Sequence, residues 1–208
     1  MIFLAECGAK TDLVFLIDSS MSVSTSGFKN VLEFIVGMLR HADIASGNVR
    51  VGLMTYHSKP IIHFNLNTHR RLAQLEKAIR AVPYTSGSTN AALALKTMRE
   101  TMFTTASGDR PAAANVAMLI TDGVSNLDAE RTIPEAVASH QKGIHIFVVG
   151  IGLTETLELE QMASPPGREN LFLVKSFDEL TQQQIRTKTF KTMCDSKLLS
   201  LYFVVPVL

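Results

Sequence analysis

Three short segments carry oxygen donors at spacings that suit a hard cation: Asp18-x-Ser20-x-Ser22, Thr89 closing Gly87-Ser88-Thr89, and Asp122 within Thr121-Asp122-Gly123. The first and last each follow an unbroken apolar run, LVFLI at 13–17 and VAMLI at 116–120. Runs of that length suit strands buried on both faces of a parallel sheet. Open α/β sheets bind their ligands beyond the carboxyl ends of such strands. Hydroxyls and carboxylates with neither Cys nor His among them match Mg²⁺ and similar hard divalent ions. Hydroxyl ligands leave a metal electron-poor, so it would accept an external carboxylate at any position left to water. Taken singly, each segment also has a plainer reading: a polar turn at the serines, an N-cap at Thr89, a strand-ending turn at Asp122-Gly123. Their joint occurrence after separate strands favours the cation.

The elements that must position these donors alternate. Apolar residues at helical spacing predict a helix from Phe28 to Arg40. Strands follow at Val49–Tyr56 and Pro60–Phe64, close enough for a hairpin that adds an antiparallel edge. Thr68 reads as the N-cap of a helix running through Val82 and stopped by Pro83. Tyr84–Asn90 is a loop, Ala91–Met102 a helix, and 104–114 a polar surface loop. After the second apolar strand come a helix over 130–141, a strand at Ile144–Gly150, a short helix over 157–163 and a strand at Leu171–Val174. The last helix is expected from Phe177 to Thr187, capped by Ser176 with Glu179 at the capping-box position. Strand and helix in alternation predict an α/β fold: a doubly wound, mostly parallel sheet with one antiparallel edge strand and helices on both faces.

Composition narrows the function. The 208 residues suit one domain, and 20 Lys plus Arg against 19 Asp plus Glu give a net charge of +1 with the basic residues scattered. That argues against a nucleic-acid partner. The six histidines, His41, His57, His63, His69, His140 and His145, show no zinc-like spacing and read as surface or satisfied core groups. Met21, between two donor-bearing positions, reads as a packing residue, with exposure near the metal and contact with a partner as the alternative. Charged helical stretches such as Arg70-Arg71 and Glu76-Lys77 read as solvated faces. Residues 1–5 are apolar but too short, and without a basic start, for a signal peptide. The apolar tail 198–208 cannot span a bilayer. Both ends read as truncated or misjoined, leaving 1–9 and 191–208 as flanks of a domain over 10–190.

The three donor segments also carry a resemblance. DxSxS at Asp18–Ser22, the glycine-hydroxyl loop Gly87-Ser88-Thr89-Asn90 and TDG at Thr121–Gly123 resemble the von Willebrand factor A domains, relatives of the inserted domains of integrins. VRVGLMTY at 49–56, KGIHIFVVGIG at 142–152 and FDEL at 177–180 extend the likeness over about residues 10 to 190. Ser88 and Ala91-Ala92 depart from the residues common in that loop, at positions that supply no ligand in the family. The resemblance implies a metal-ion-dependent adhesion site. Ser20 and Ser22 would bind Mg²⁺ (or Mn²⁺ or Ca²⁺) directly, Thr89 directly or through water, and Asp18 and Asp122 mostly through water. The remaining position would take a Glu or Asp from a protein ligand such as collagen or another matrix protein.

Within that family the wording is most similar to matrilins and the non-helical parts of type VI-like collagens, which implies a secreted, extracellular-matrix binding module and no enzyme. An intracellular member of a multi-subunit assembly is the alternative. A Mg²⁺-dependent hydrolase ranks below both, because there is no G-x-S-x-G elbow and Ser20 stands where a phosphatase-like nucleophile would carry its second Asp. Cys7 and Cys194 bracket the fold. Two free thiols and a bridge are both compatible with their number, and their placement at the outer ends favours the bridge. Such a bridge would contribute up to about 5 kcal/mol and require an oxidising compartment.

Overall fold

The structure, a computed structural model, describes residues 10–195. Cys7 and the side chain of Cys194 lie outside what it describes, as do both apolar ends. Six strands form one sheet in the order β3-β2-β1-β4-β5-β6. They are β1 (Thr11–Asp18), β2 (Val49–Tyr56), β3 (Pro60–Phe64), β4 (Ala114–Thr121), β5 (Ile144–Ile151) and β6 (Leu171–Val174). Only the β2–β3 pair is antiparallel. The helices are α1 (Thr25–Leu39), α2 (Leu72–Arg80), α3 (Ala91–Thr97), α4 (Ala129–Gln141), α5 (Leu157–Met162) and α6 (Gln183–Asp195). The expected doubly wound sheet with one antiparallel edge is therefore present.

All eight residues of β1 are buried because helices cover both faces. Leu13, Phe15 and Ile17 pack with Phe28, Val31 and Ile35 of α1, Leu75 and Ile79 of α2, and Phe190 of α6. Val14 and Leu16 pack with Ala94 and Leu95 of α3, Ala136 of α4, and Leu159 and Met162 of α5. Side-chain alternation along a strand thus feeds two separate cores. Each large side chain buried this way contributes about 1.5–3 kcal/mol. Strand order reverses between β1 and β4, so the crevice at their carboxyl ends, where Asp18 and Thr121 stand, is the topological switch point of the sheet.

Several local expectations differ from what forms. Thr68 does not cap α2: its hydroxyl accepts from the Asn65 N–H at 3.1 Å and closes the preceding turn. Helix α2 starts three residues later, after Arg71, with no side-chain cap. Helix α3 passes at Met98 into a π-helical turn ending at Met102. The last helix starts at Gln183 rather than Phe177, behind a 3-10 turn over Glu179–Thr181. There Glu179 Oε2 accepts from the Lys175 N–H at 2.5 Å and closes the loop on itself, while Asp178 Oδ1 accepts from Asn30 Nδ2 at 2.9 Å and fastens the loop to α1. Glu76 is not a free solvated carboxylate. It accepts from Arg40 and from Arg80, each at 3.1 Å, and joins α1 to α2.

The stretch 104–114 is more than a surface loop. Arg110 donates through Nε to the wholly buried Asp12 Oδ1 at 2.9 Å, and its backbone N–H reaches Asp12 Oδ2 at 2.7 Å. Its remaining nitrogens reach the carbonyls of Thr11, Gly47 and Asn48 at 2.6–2.9 Å. One planar guanidinium thereby closes the amino-terminal end of the sheet, opposite the donor segments.

Candidate metal centre

Asp18, the last residue of β1, is 2% exposed. Its Oδ1 accepts from the Ser20 N–H at 2.8 Å, and its Oδ2 from Thr121 Oγ1 at 2.7 Å. One carboxylate therefore shapes its own turn and spans the gap to β4. Burial pushes the Asp18 carboxyl above its ordinary value, and the bonds from Thr121 and Ser20 offset part of the rise. Ser20 Oγ and Ser22 Oγ lie 3.0 Å apart, and Ser22 Oγ donates to Asp122 Oδ1 at 2.7 Å. Asp122 is likewise raised by burial, with the Ser22 bond opposing. An octahedral site with ligands about 2.1 Å from its centre has neighbouring corners about 3 Å apart, which matches the separation of the two serine oxygens. These oxygens fit a hard divalent cation. Among the described residues no three His, Cys, Asp or Glu side chains converge on a metal position, so a cation here would depend on hydroxyls.

Backbone bonds hold the segments together. The Ser19 N–H reaches the Tyr56 carbonyl at 2.8 Å, and the Met21 N–H reaches the Gly87 carbonyl at 2.9 Å. Tyr84 Oη donates to the Ser20 carbonyl at 3.0 Å. Gly87 is a close approach: a Cβ there would lie 2.8 Å from His57 Nδ1. Thr89 is buried, and its backbone is clasped from the loop after β4. Its N–H donates to Asn126 Oδ1 at 2.9 Å, and its carbonyl accepts from the N–H groups of Asn126 and Leu127 at 3.0 Å each. Ser125 Oγ bonds the same carbonyl at 3.3 Å and accepts from the Ala91 N–H at 3.2 Å.

Of the five expected donors, Ser20, Ser22 and Asp122 form one hydrogen-bonded chain, and Asp18 joins it through the Ser20 backbone. Thr89 is placed by its backbone alone; among the described residues no hydrogen bond ends on its hydroxyl. The N-cap of α3 is Asn90, whose Oδ1 accepts from the Leu93 N–H at 2.9 Å, so the plain capping reading of Thr89 does not hold. Met21 does not pack: it is 76% exposed, because the turn sends Ser20 and Val23 inward and the residue next to Ser20 outward. Asn126, Ser125 and Tyr84 were invisible to sequence reasoning, since their partners are 36 to 64 residues away. His63 and His145 are satisfied core groups, bonding Thr55 at 2.9 Å and Asn170 at 3.0 Å, whereas the buried Nε2 of His140 has no hydrogen-bond partner among the described residues.

A doubly wound sheet whose switch point carries hydrogen-bonded serine and aspartate oxygens from the segments after β1 and β4 defines the class of domain. The chain belongs to the von Willebrand factor type A domain family, whose model matches residues 12–186. It is 36% identical over 170 residues to Matrilin-4 of Mus musculus, covering 80% of this chain and 27% of that protein. It is 32% identical over 188 residues to Vitrin of Mus musculus, covering 90% of this chain and 28% of that protein. Against the Collagen alpha-1(XII) chain of Notophthalmus viridescens it is 34% identical over 173 residues, at 83% of this chain and 18% of that protein. The chain thus spans less than a third of the length of these relatives. They are secreted extracellular-matrix proteins, in agreement with the matrix setting expected from the sequence. Proximal thread matrix protein 1 from the mussel byssus shares the fold, with a TM-score of 0.84 at 24% identity over 91% of this chain and 49% of that one. A further structure of that mussel protein has a zinc-occupied MIDAS motif.

Proposed function

We propose that this chain is a matrix adhesion module, not an enzyme, which holds Mg²⁺ or a like divalent ion at Asp18, Ser20, Ser22, Thr89 and Asp122 and binds an acidic residue of a protein ligand there. The observation that carries the reading is the Ser20–Ser22–Asp122 chain at 3.0 and 2.7 Å, beside a buried Asp18. Four hydrogen-bonded oxygens with two carboxylates among them, Asp18 and Ser20 buried and Ser22 open to solvent at the carboxyl end of the sheet, favour a positive charge over another hydroxyl. Bound there, the cation would supply Lewis acidity toward an incoming carboxylate. Ser20 and Ser22 would ligate through uncharged oxygens, and Asp18 and Asp122 would supply the balancing charge. Matrilins, Vitrin and the mussel matrix protein make another matrix protein, collagen among them, the expected class of ligand. The domain proper would be 10–190.

Calorimetric titration with Mg²⁺ and Mn²⁺ and a pull-down from extracellular matrix in Mg²⁺ against EDTA test the proposal. The wild type should bind the cation near one equivalent and retain matrix protein only with metal, while Asp122→Ala should lose both and keep its circular dichroism. Matrix binding that survives EDTA would sink it.

A further inference from the structure

Among the described residues seven large apolar side chains are exposed, and of these Met21, Val124 and Leu127 stand on the loops that carry the candidate cation cluster while Leu157 opens α5. Their exposures are 76%, 47%, 37% and 67%. Met21 separates Ser20 from Ser22, and Val124 follows Asp122 by two residues. The Leu127 N–H bonds the Thr89 carbonyl at 3.0 Å, and Leu157 precedes Glu158, whose Oε1 accepts from the Ser125 N–H at 3.0 Å. Single exposed apolar residues are ordinary. A border of four around a polar cluster is the anatomy of a protein-docking surface.

The charges of the same loops select the partner. The loops themselves, 19–24, 84–90, 122–128 and 152–156, contain Asp122, Asp128 and Glu155 and no Lys or Arg; Lys29, Lys96 and Arg131 stand on the helices that follow, Lys96 and Arg131 lining one hollow with Asp128. Lys59 is in the turn after β2, which borders the Thr89 loop, with the Ser88 N–H donating to Ser58 Oγ at 3.2 Å, and which strand order puts across β1 and β4 from the loop after β5. An incoming carboxylate therefore finds no side-chain cation on these loops and depends on the bound metal. A second acidic side chain would meet Asp128, Glu130 or Glu155. The rest of the contact falls to apolar burial.

We propose that this rim docks an extended protein segment presenting one isolated Glu or Asp with large apolar side chains beside it, and disfavours acid-rich segments. This rests on the cation reading of the preceding subsection.

The 208-residue chain would be tested with synthetic peptides carrying a central Glu flanked by Leu and Phe, by Ala, or by Asp and Glu, and with a central-Gln form of the first. Binding would be read in Mg²⁺ and in EDTA, and Mn²⁺ affinity separately by calorimetry. The Leu/Phe-flanked peptide should bind at least tenfold tighter than the Ala-flanked one, a difference of about 1.4 kcal/mol. The acid-flanked peptide should be weakest, and the Gln form and EDTA should abolish binding. Combining Val124→Ser, Leu127→Ser and Leu157→Ser should bring the apolar-flanked peptide to the Ala-flanked level while Mn²⁺ affinity stays that of the wild type. Equal binding of the apolar- and Ala-flanked peptides, tightest binding of the acid-flanked one, or an indifferent triple variant overturns the rim proposal with the metal site intact. Loss of Mn²⁺ binding in the wild type overturns the metal reading and the rim together.

Discussion

Asn126 and Thr89 pair as though they lay on adjacent strands: the Thr89 N–H donates to Asn126 Oδ1 at 2.9 Å while the Asn126 N–H donates to the Thr89 carbonyl at 3.0 Å. A side chain here takes the place of a backbone carbonyl. It ties the loop carrying Thr89 to the loop carrying Asp122, alongside the Leu127 N–H and Ser125 Oγ on the Thr89 carbonyl, and it is the acceptor for the Thr89 N–H.

Asn126→Ala should weaken divalent-cation binding about tenfold in calorimetry and lower stability by about 1–3 kcal/mol, because the Thr89 N–H loses its acceptor. Asn126→Asp keeps an acceptor for that N–H and should recover most of the stability. Unchanged metal affinity in Asn126→Ala would show that Thr89 is placed without it.

Gly87→Ala should destabilise the protein by about 1–3 kcal/mol, as overpacking does, since the new methyl would meet His57 Nδ1 at 2.8 Å and Ser58 Oγ at 3.1 Å. The nearest obstacle is a side chain, so His57→Ala in the same chain should recover part of the loss. A double-mutant cycle in urea checks this, and additive effects would exclude the contact.

Arg110→Ala leaves the wholly buried Asp12 without its guanidinium and takes a donor away from the carbonyls of Thr11, Gly47 and Asn48. The expected loss is about 3–5 kcal/mol in urea unfolding. Arg110→Lys should rescue little, because a single ammonium cannot reach acceptors laid out for a planar fork. Cation affinity at the far end of the sheet should change little wherever the variant remains folded.

His63, His140 and His145 have pKa values lowered by burial, with burial the largest cause in each. The unfolded chain takes up protons near their ordinary value of about 6.5 while the folded chain does not. Their contribution to stability is therefore present above that value and lost as pH falls through the lowered folded values. Burial raises Asp18 and Asp122, which has the opposite sign: their protonation as pH falls relieves the folded state. In EDTA the urea midpoint should fall from pH 7 toward pH 6, and His145→Gln should flatten that slope. A wild-type slope of zero or of opposite sign would mean that the carboxyl groups dominate.

Much of the fold was legible because it rests on local and repeating signals. Unbroken apolar runs could only be strands covered on both faces, and β1, β4 and β5 are such strands. Helix starts were less legible. Thr68 and Ser176 have the right chemistry for caps, yet the hydroxyl of Thr68 closes a turn to Asn65, and Glu179 reaches Lys175 instead of opening a helix. Capping is a competition among nearby partners, and sequence shows the competitors without their distances.

The sequence alone determined the class of fold, the family and the standing of Asp18 and Asp122 at the carboxyl ends of β1 and β4, since residue type, period and order along the chain carry that information. Tertiary structure decided how those oxygens meet. Asp18 reaches Thr121 across 103 residues and Ser22 reaches Asp122 across 100, while Asn126 holds Thr89 and Met21 faces solvent. Hydrogen bonds act over about 3 Å, and only the folded sheet brings groups so distant in sequence within that reach.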